Sequence, residues 1–99
     1  MEIKTTNADG VSIIEIPEHL DINSSSFLKD TLTQTIESAD NIELDFAKTA
    51  LVSSAGLRVL LQAQKTVQVS GKKLVYKNVS PDVMEVFEMT GVTKIFSII

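Results

Sequence analysis

The chain contains no cysteine and no tryptophan, and only one histidine, one tyrosine and two prolines. Without cysteine there are no disulfides and no thiolate metal sites, a usage compatible with a reducing cytosol. One histidine among scattered carboxylates gives no ligand spacing of the zinc or calcium kind. The four glycines, Gly10, Gly56, Gly71 and Gly91, lie far apart, so no phosphate-loop signature is present. No apolar run approaches the ~20 residues needed to span a bilayer. The start, "MEIKTTNADG", lacks the basic segment followed by a long apolar one that marks a signal peptide. Positive charge is also short, with nine Lys and Arg against thirteen Asp and Glu and a net charge of −4. A nucleic-acid binder needs a basic footprint to displace counterions, and docking on anionic lipid needs one too. The expectation is therefore a cytoplasmic protein with neither nucleic acid nor membrane as partner.

What the chain does have is 99 residues at 43% hydrophobic, enough for one domain spanning 1–99. Met1 to Thr6 and Val11 to Ile16 read as strands joined by Asp9-Gly10, which supplies the positive-φ residues of a tight hairpin turn. Pro17 ends the second strand and "PEHLD" reads as a loop, with Asn23 or Ser24 as the N-cap of a helix. Leu28, Leu32, Thr35, Ile36 and Ala39 fall on one face of that helix. In "IELDF", residues 42–46, Ile42, Leu44 and Phe46 alternate with Glu43 and Asp45, the period of a half-covered strand. Leu51-Val52 is a short strand-like pair. After it, Leu57, Leu60, Leu61, Gln64 and Val67 recur at helical spacing, with Arg58, Gln62 and Lys65 as the wet stripe. Gly71 stops this helix and "KKLVYK" is the next strand. Ser80-Pro81 opens a third helix with Val83, Val86 and Phe87 inward, and Gly91 closes it. "KIFSII" is the last strand. The order β-β-α-β-α-β-α-β predicts an α/β domain with a mixed, mostly parallel sheet, since each strand–helix–strand passage favours a parallel pair.

The stretch "LVSSAGLRVLL" places two serines and an Ala-Gly step where a strand hands over to a helix. For a nucleophile, Ser54 with His19 and Asp21 is the one available hydroxyl–imidazole–carboxylate set. The G-x-S-x-G elbow is missing, however, and a lone histidine beside a turn is more often a solvated loop residue. No catalytic residue, metal site or cofactor is expected. The plain reading of the serines is that one caps the helix through a free backbone N–H. That leaves the second serine unexplained, and also Gly56 inside the first turn, where glycine costs about 0.5–1 kcal/mol relative to alanine. A phosphate at a helix N-terminus adds about −1.5 to −2 charges without unfolding the helix, and it confronts any docked partner with a dianion.

Taken together, the "HLD" turn, "IELDFAKTALVSSAGLRVLL", "GKKLVYKNVSP" and "VFEMTGVTKIF" resemble the STAS domains, specifically the bacterial anti-sigma factor antagonists. The likeness runs over nearly the whole chain and implies a STAS-type sheet with an N-terminal hairpin and helices packed against it. Members of the family carry Asp-Ser, then Ser, Thr or Ala, then Gly-Leu, the first serine of that motif being the phosphoacceptor. Alignment on Gly56-Leu57 places the acceptor at Ser54, with Ala55 in the variable position and Ser53 where the aspartate usually stands, which makes Ser53 a rival. Asp21 matches the aspartate of the family's "ELD" turn, and Glu18 stands where a glycine is often found before it. The resemblance implies a partner surface of Asp21, Ser53, Ser54 and Gly56. Arg58, one turn from the switch on the exposed helix stripe, is expected to join it because its guanidinium can pair with a carboxylate. The resemblance also implies a partner that is an anti-sigma factor, usually a serine kinase of the GHKL type. That partner would phosphorylate Ser54 with its own ATP, and a phosphatase would reset the switch. The protein itself would perform no chemistry.

STAS domains also serve as regulatory modules of anion transporters, stress-signalling complexes and lipid-asymmetry systems, so a stand-alone regulatory subunit of such a complex is the alternative. A start at Met1, an end within the last strand and no membrane segment favour a free-standing regulator.

Overall fold

The computed structural model describes residues 3–99. Four strands are β1 (Thr5–Ala8), β2 (Val11–Glu15), β4 (Asn41–Asp45) and β6 (Lys73–Lys77), and two-residue strands are β3 (His19–Leu20), β5 (Leu51–Val52) and β7 (Ser97–Ile98). The helices are α1 (Ile22–Ser38), α2 (Ser54–Ser70) and α3 (Pro81–Thr90), followed by a 3-10 turn at Val92–Lys94. The main sheet runs β1-β2-β4-β6-β7, with β1 antiparallel to β2 and the other pairs parallel. This is the mixed, mostly parallel sheet read from the element order. Among the described residues, no helix is long and apolar enough to cross a membrane.

All three helices pack on one face of the sheet. Ile14, Ile16, Ile42, Leu44, Phe46, Leu74 and Tyr76 point into a core closed by Leu28 and Leu32 of α1, Leu60 and Val67 of α2, and Val83 and Phe87 of α3. The alternation read in "IELDF" is thus the alternation of core and open face. Tyr76 stacks on Phe96 at a centroid distance of 4.3 Å and meets Phe87 edge-on at 6.3 Å. Its buried hydroxyl donates to Gln64 Oε1 at 3.3 Å, and burial pushes the phenol well above its ordinary pKa. That bond explains a glutamine on the apolar face of α2. The opposite face carries Glu43 and Lys77, paired at 2.9 Å.

Several boundaries differ from expectation. The first strand is Thr5–Ala8, later than the expected 1–6, of which Met1 and Glu2 lie outside the described residues. The cause is the Asp9-Gly10 turn, with φ of 53° and 79°, which sets Ala8 opposite Val11 and counts the rungs from there. "PEHLD" is not simply a loop, because His19 and Leu20 pair in parallel with Leu51 and Val52 as a separate two-stranded ribbon. The N-cap of α1 is Asp21, not Asn23 or Ser24, and Ala39, which packs half-buried against the core, is its C-cap. Lys72 precedes β6. The final strand is only Ser97–Ile98: Gly91, at φ 78°, leads straight into the 3-10 turn, which drops Val92 and Phe96 together into the core.

The expected helix ends at Gly71, Ser80-Pro81 and Gly91 are found where they were read. Gly71 adopts φ 70°, and Ser80 Oγ accepts from the Val83 N–H at 3.3 Å.

Candidate functional site

The ribbon of β3 and β5 organises the site. On its near side the Ala50 N–H donates to the Glu18 carbonyl at 2.8 Å. Leu20 and Val52, which share a rung, are both buried. On the far side the Ser53 N–H donates to the Leu20 carbonyl at 2.8 Å. One residue past that rung each chain segment reaches the N-cap of a helix, Asp21 for α1 and Ser53 for α2. Neighbouring strands lie roughly 4.8 Å apart, so the two helix starts stand side by side.

Asp21 closes a capping box. Its Oδ1 accepts from the N–H groups of Asn23 at 2.9 Å and Ser24 at 3.1 Å, while Ser24 Oγ accepts from the Asp21 N–H at 3.0 Å. Ser24 Oγ also donates to the His19 carbonyl at 2.8 Å, which ties the cap to the ribbon. The backbone N–H of Ser24, with help from Asn23, lowers the carboxyl pKa below its ordinary value. A helix N-terminus favours the charged form in just this way.

Ser53 and Ser54 divide the two tasks that their spacing left open. Ser53 is half-buried, extended at φ −83° and ψ 173°, and its Oγ accepts from the Gly56 N–H at 3.3 Å. Ser54, the first residue of α2, is exposed, and among the described residues its hydroxyl has no hydrogen-bond partner. The cap is Ser53; the accessible hydroxyl is Ser54.

Gly56 is buried beneath Leu20. A Cβ there would lie 2.6 Å from Leu20 Cγ and 2.7 Å from the Leu20 carbonyl oxygen. The glycine lets the chain's own ribbon come up against the helix backbone. Gly56 lies buried under the site, where it lets β3 press on α2, and not on the exposed surface expected of it. Arg58, one turn beyond Ser54, is exposed, as are Gln62 and Lys65 along the same stripe. Gln62 and Lys65 also edge a groove of about 510 Å³ between α1 and α2, floored by Leu32, Ile36 and Ala63.

The hydroxyl–imidazole–carboxylate set does not assemble. Asp21 Oδ1 is held by α1, the His19 ring lies 3.7 Å from Glu18, and among the described residues no hydrogen bond joins His19 to Ser54. What stands at the surface is an unpartnered hydroxyl at a positive helix end, flanked by a second capped helix. Sequence reasoning missed the Asp21 cap and the ribbon. An aspartate three residues before a serine was the available signal for the cap.

The family described as Mlab, STAS domain, matches residues 3–99. BtrV of Bordetella bronchiseptica, named provisionally as an anti-sigma factor antagonist, is 28% identical over 99 residues, covering 99% of this chain and 85% of that one. The anti-sigma F factor antagonist of Paenibacillus polymyxa is 25% identical over 100 residues, covering 99% and 86%. The anti-sigma factor antagonist SpoIIAA, from Bacillus, superposes in its unphosphorylated form with a TM-score of 0.81 at 16% identity, over 98% of this chain and 87% of that one. Its phosphorylated form gives 0.77 at 15% identity, over 98% and 90%. At such identity these superpositions speak for the fold.

Proposed function

The chain belongs to the STAS domain family, and on that premise we propose that it is an anti-sigma factor antagonist switched by phosphorylation of Ser54. Unmodified, it binds an anti-sigma factor and so releases a sigma factor for transcription. The partner is a serine kinase of the GHKL type that spends its own ATP on Ser54, and a phosphatase restores the hydroxyl. The antagonist works in the cytoplasm as a binding module and performs no chemistry.

The observation that carries this reading is the division of labour at the start of α2. Ser53 is occupied as the cap, so Ser54 can be modified without dismantling the helix. The relatives named as antagonists support the same role. Phosphate at Ser54 would sit over the N-terminus of α2, which holds no acidic side chain in its first turn. That end favours an anion, so the modification disturbs the docked partner and spares the fold. The test is intact mass and site mapping after incubation of wild type, Ser53→Ala and Ser54→Ala with a candidate kinase and ATP. One phosphate on wild type and on Ser53→Ala, and none on Ser54→Ala, is the expected outcome. A full phosphate on Ser54→Ala would overturn the assignment.

A stand-alone regulatory subunit of a transport or stress-signalling complex is the second reading, favoured by the Mlab description of the matching family. Stable binding to a transport ATPase, with no phosphate gained from any kinase partner, would select it.

A further inference from the structure

Ile22 is the first residue of α1, and it is 76% exposed although apolar and β-branched. Nothing in the fold requires it, since the cap beside it is Asp21 and the inward face of α1 begins at Ser24 and Ser25. Its place is nonetheless well determined. Leu20 and Val52 share a rung of the ribbon, so two residues on, Ile22 and Ser54 occupy equivalent first positions of two adjacent helices. Side chains on a helix tilt toward its N-terminus, so both project from the same end of the molecule. Leu51, 48% exposed and opposite His19 on the ribbon, adds a second apolar side chain at that end.

We infer that Ile22, supported by Leu51, is the apolar anchor by which the anti-sigma factor docks over Ser54. The inference rests on the switch reading above and says why that switch is sensitive. A partner resting only on Asp21, Ser53 and Arg58 would form a wet polar contact, in which a phosphate could keep its water. An anchor of this kind beside the acceptor excludes water from the contact. A dianion placed there must then lose solvation, and the complex comes apart. The patch is continuous with the acceptor, and that continuity singles out the anti-sigma factor as its occupant.

The experiment is calorimetric titration, without ATP, of the kinase that modifies Ser54. Its ligands are wild type, Ile22→Ser, Ser54→Asp, the Ile22→Ser/Ser54→Asp double variant and Met89→Ser. Met89 is a control on α3 with 79% exposure. Ile22→Ser is expected to weaken binding at least tenfold and Met89→Ser less than twofold, with thermal midpoints unchanged. Ser54→Asp is expected to cost less affinity in the Ile22→Ser background, where the contact is already wet. Wild-type affinity for Ile22→Ser, or equal losses for Ile22→Ser and Met89→Ser, overturns the anchor while leaving the switch standing. A kinase that neither binds nor modifies wild type overturns the switch, and the anchor falls with it.

Discussion

Gly56 and Leu20 are held at a separation that only glycine allows: a Cβ on Gly56 would lie 2.7 Å from the Leu20 carbonyl oxygen. Alanine for glycine inside a helix ordinarily gains about 0.5–1 kcal/mol. Here the obstacle includes backbone that also accepts the Ser53 N–H, and overpacking of this kind costs about 1–3 kcal/mol. The clash wins. Gly56→Ala should unfold at lower urea with an unchanged slope, and a more stable variant would show that β3 can back away from α2.

The two serines should separate in stability. Ser53→Ala removes the cap on Gly56 and should cost about 1 kcal/mol. Ser54→Ala removes an exposed hydroxyl with no partner and should stay within about 0.5 kcal/mol of wild type. Equal losses in urea titrations would mean that the caps had been assigned to the wrong residue.

A carboxylate at Ser54 should help the fold and harm the complex. Ser54→Asp places negative charge at an N-terminus that has none in its first turn, a gain of about 0.3–1 kcal/mol that salt should screen. Binding to the anti-sigma factor should weaken. Because the mimic carries less charge than phosphate, its effect should be smaller than that of the phosphorylated protein.

Acid should loosen the ribbon end of the molecule through Asp21. Its folded pKa lies below the ordinary 3.8 because the Ser24 N–H, then Asn23, bind the charged form. A depressed carboxyl pKa contributes stability above the unfolded value, and that contribution is lost as pH falls through the folded one. Asp45 is also lowered: burial alone would raise it, but the amide of Asn78 and the Ala47 N–H outweigh that, so it acts in the same window. Asp21→Asn keeps a good cap without the charge. Its stability should therefore fall less steeply than that of wild type between pH 5 and pH 2 (roughly, the span of such a group). Parallel pH profiles would remove Asp21 from the account.

Arg58 should matter to the partner and not to the fold. It is exposed one turn from Ser54, and its guanidinium can grip a carboxylate in a bidentate pair. Arg58→Ala should weaken or slow kinase binding with a melting point close to that of wild type. Unchanged calorimetric affinity would move the interface off this stripe.

Local chemistry and the parallel character of the main sheet were legible in the sequence; the pairing of the short ribbon was not. The Asp9-Gly10 turn, the Ser80-Pro81 start and the Gly71 and Gly91 stops each depend on a few neighbouring residues, and all were found in place. The β3–β5 ribbon rests on two residues per strand, too few to show a period, and its pairing is set by the packing of Leu20 and Val52. The α1 cap was misread by two or three positions because Asn23 and Ser24 are themselves cap-forming residue types. Ser24 did turn out to belong to the cap, as its second member. At the site, Ser54 was placed by register on Gly56-Leu57, while the reason for Gly56 could be seen only once Leu20 lay against it.

The ribbon also has a bearing on how the protein is made. Its two strands are separated in the chain by the whole of α1 and β4, so closing it costs loop entropy that is recovered only after those elements have docked. A chain still being made carries the same serines before its two helix starts are aligned. The two helix starts therefore come into line only once the elements between them are in place.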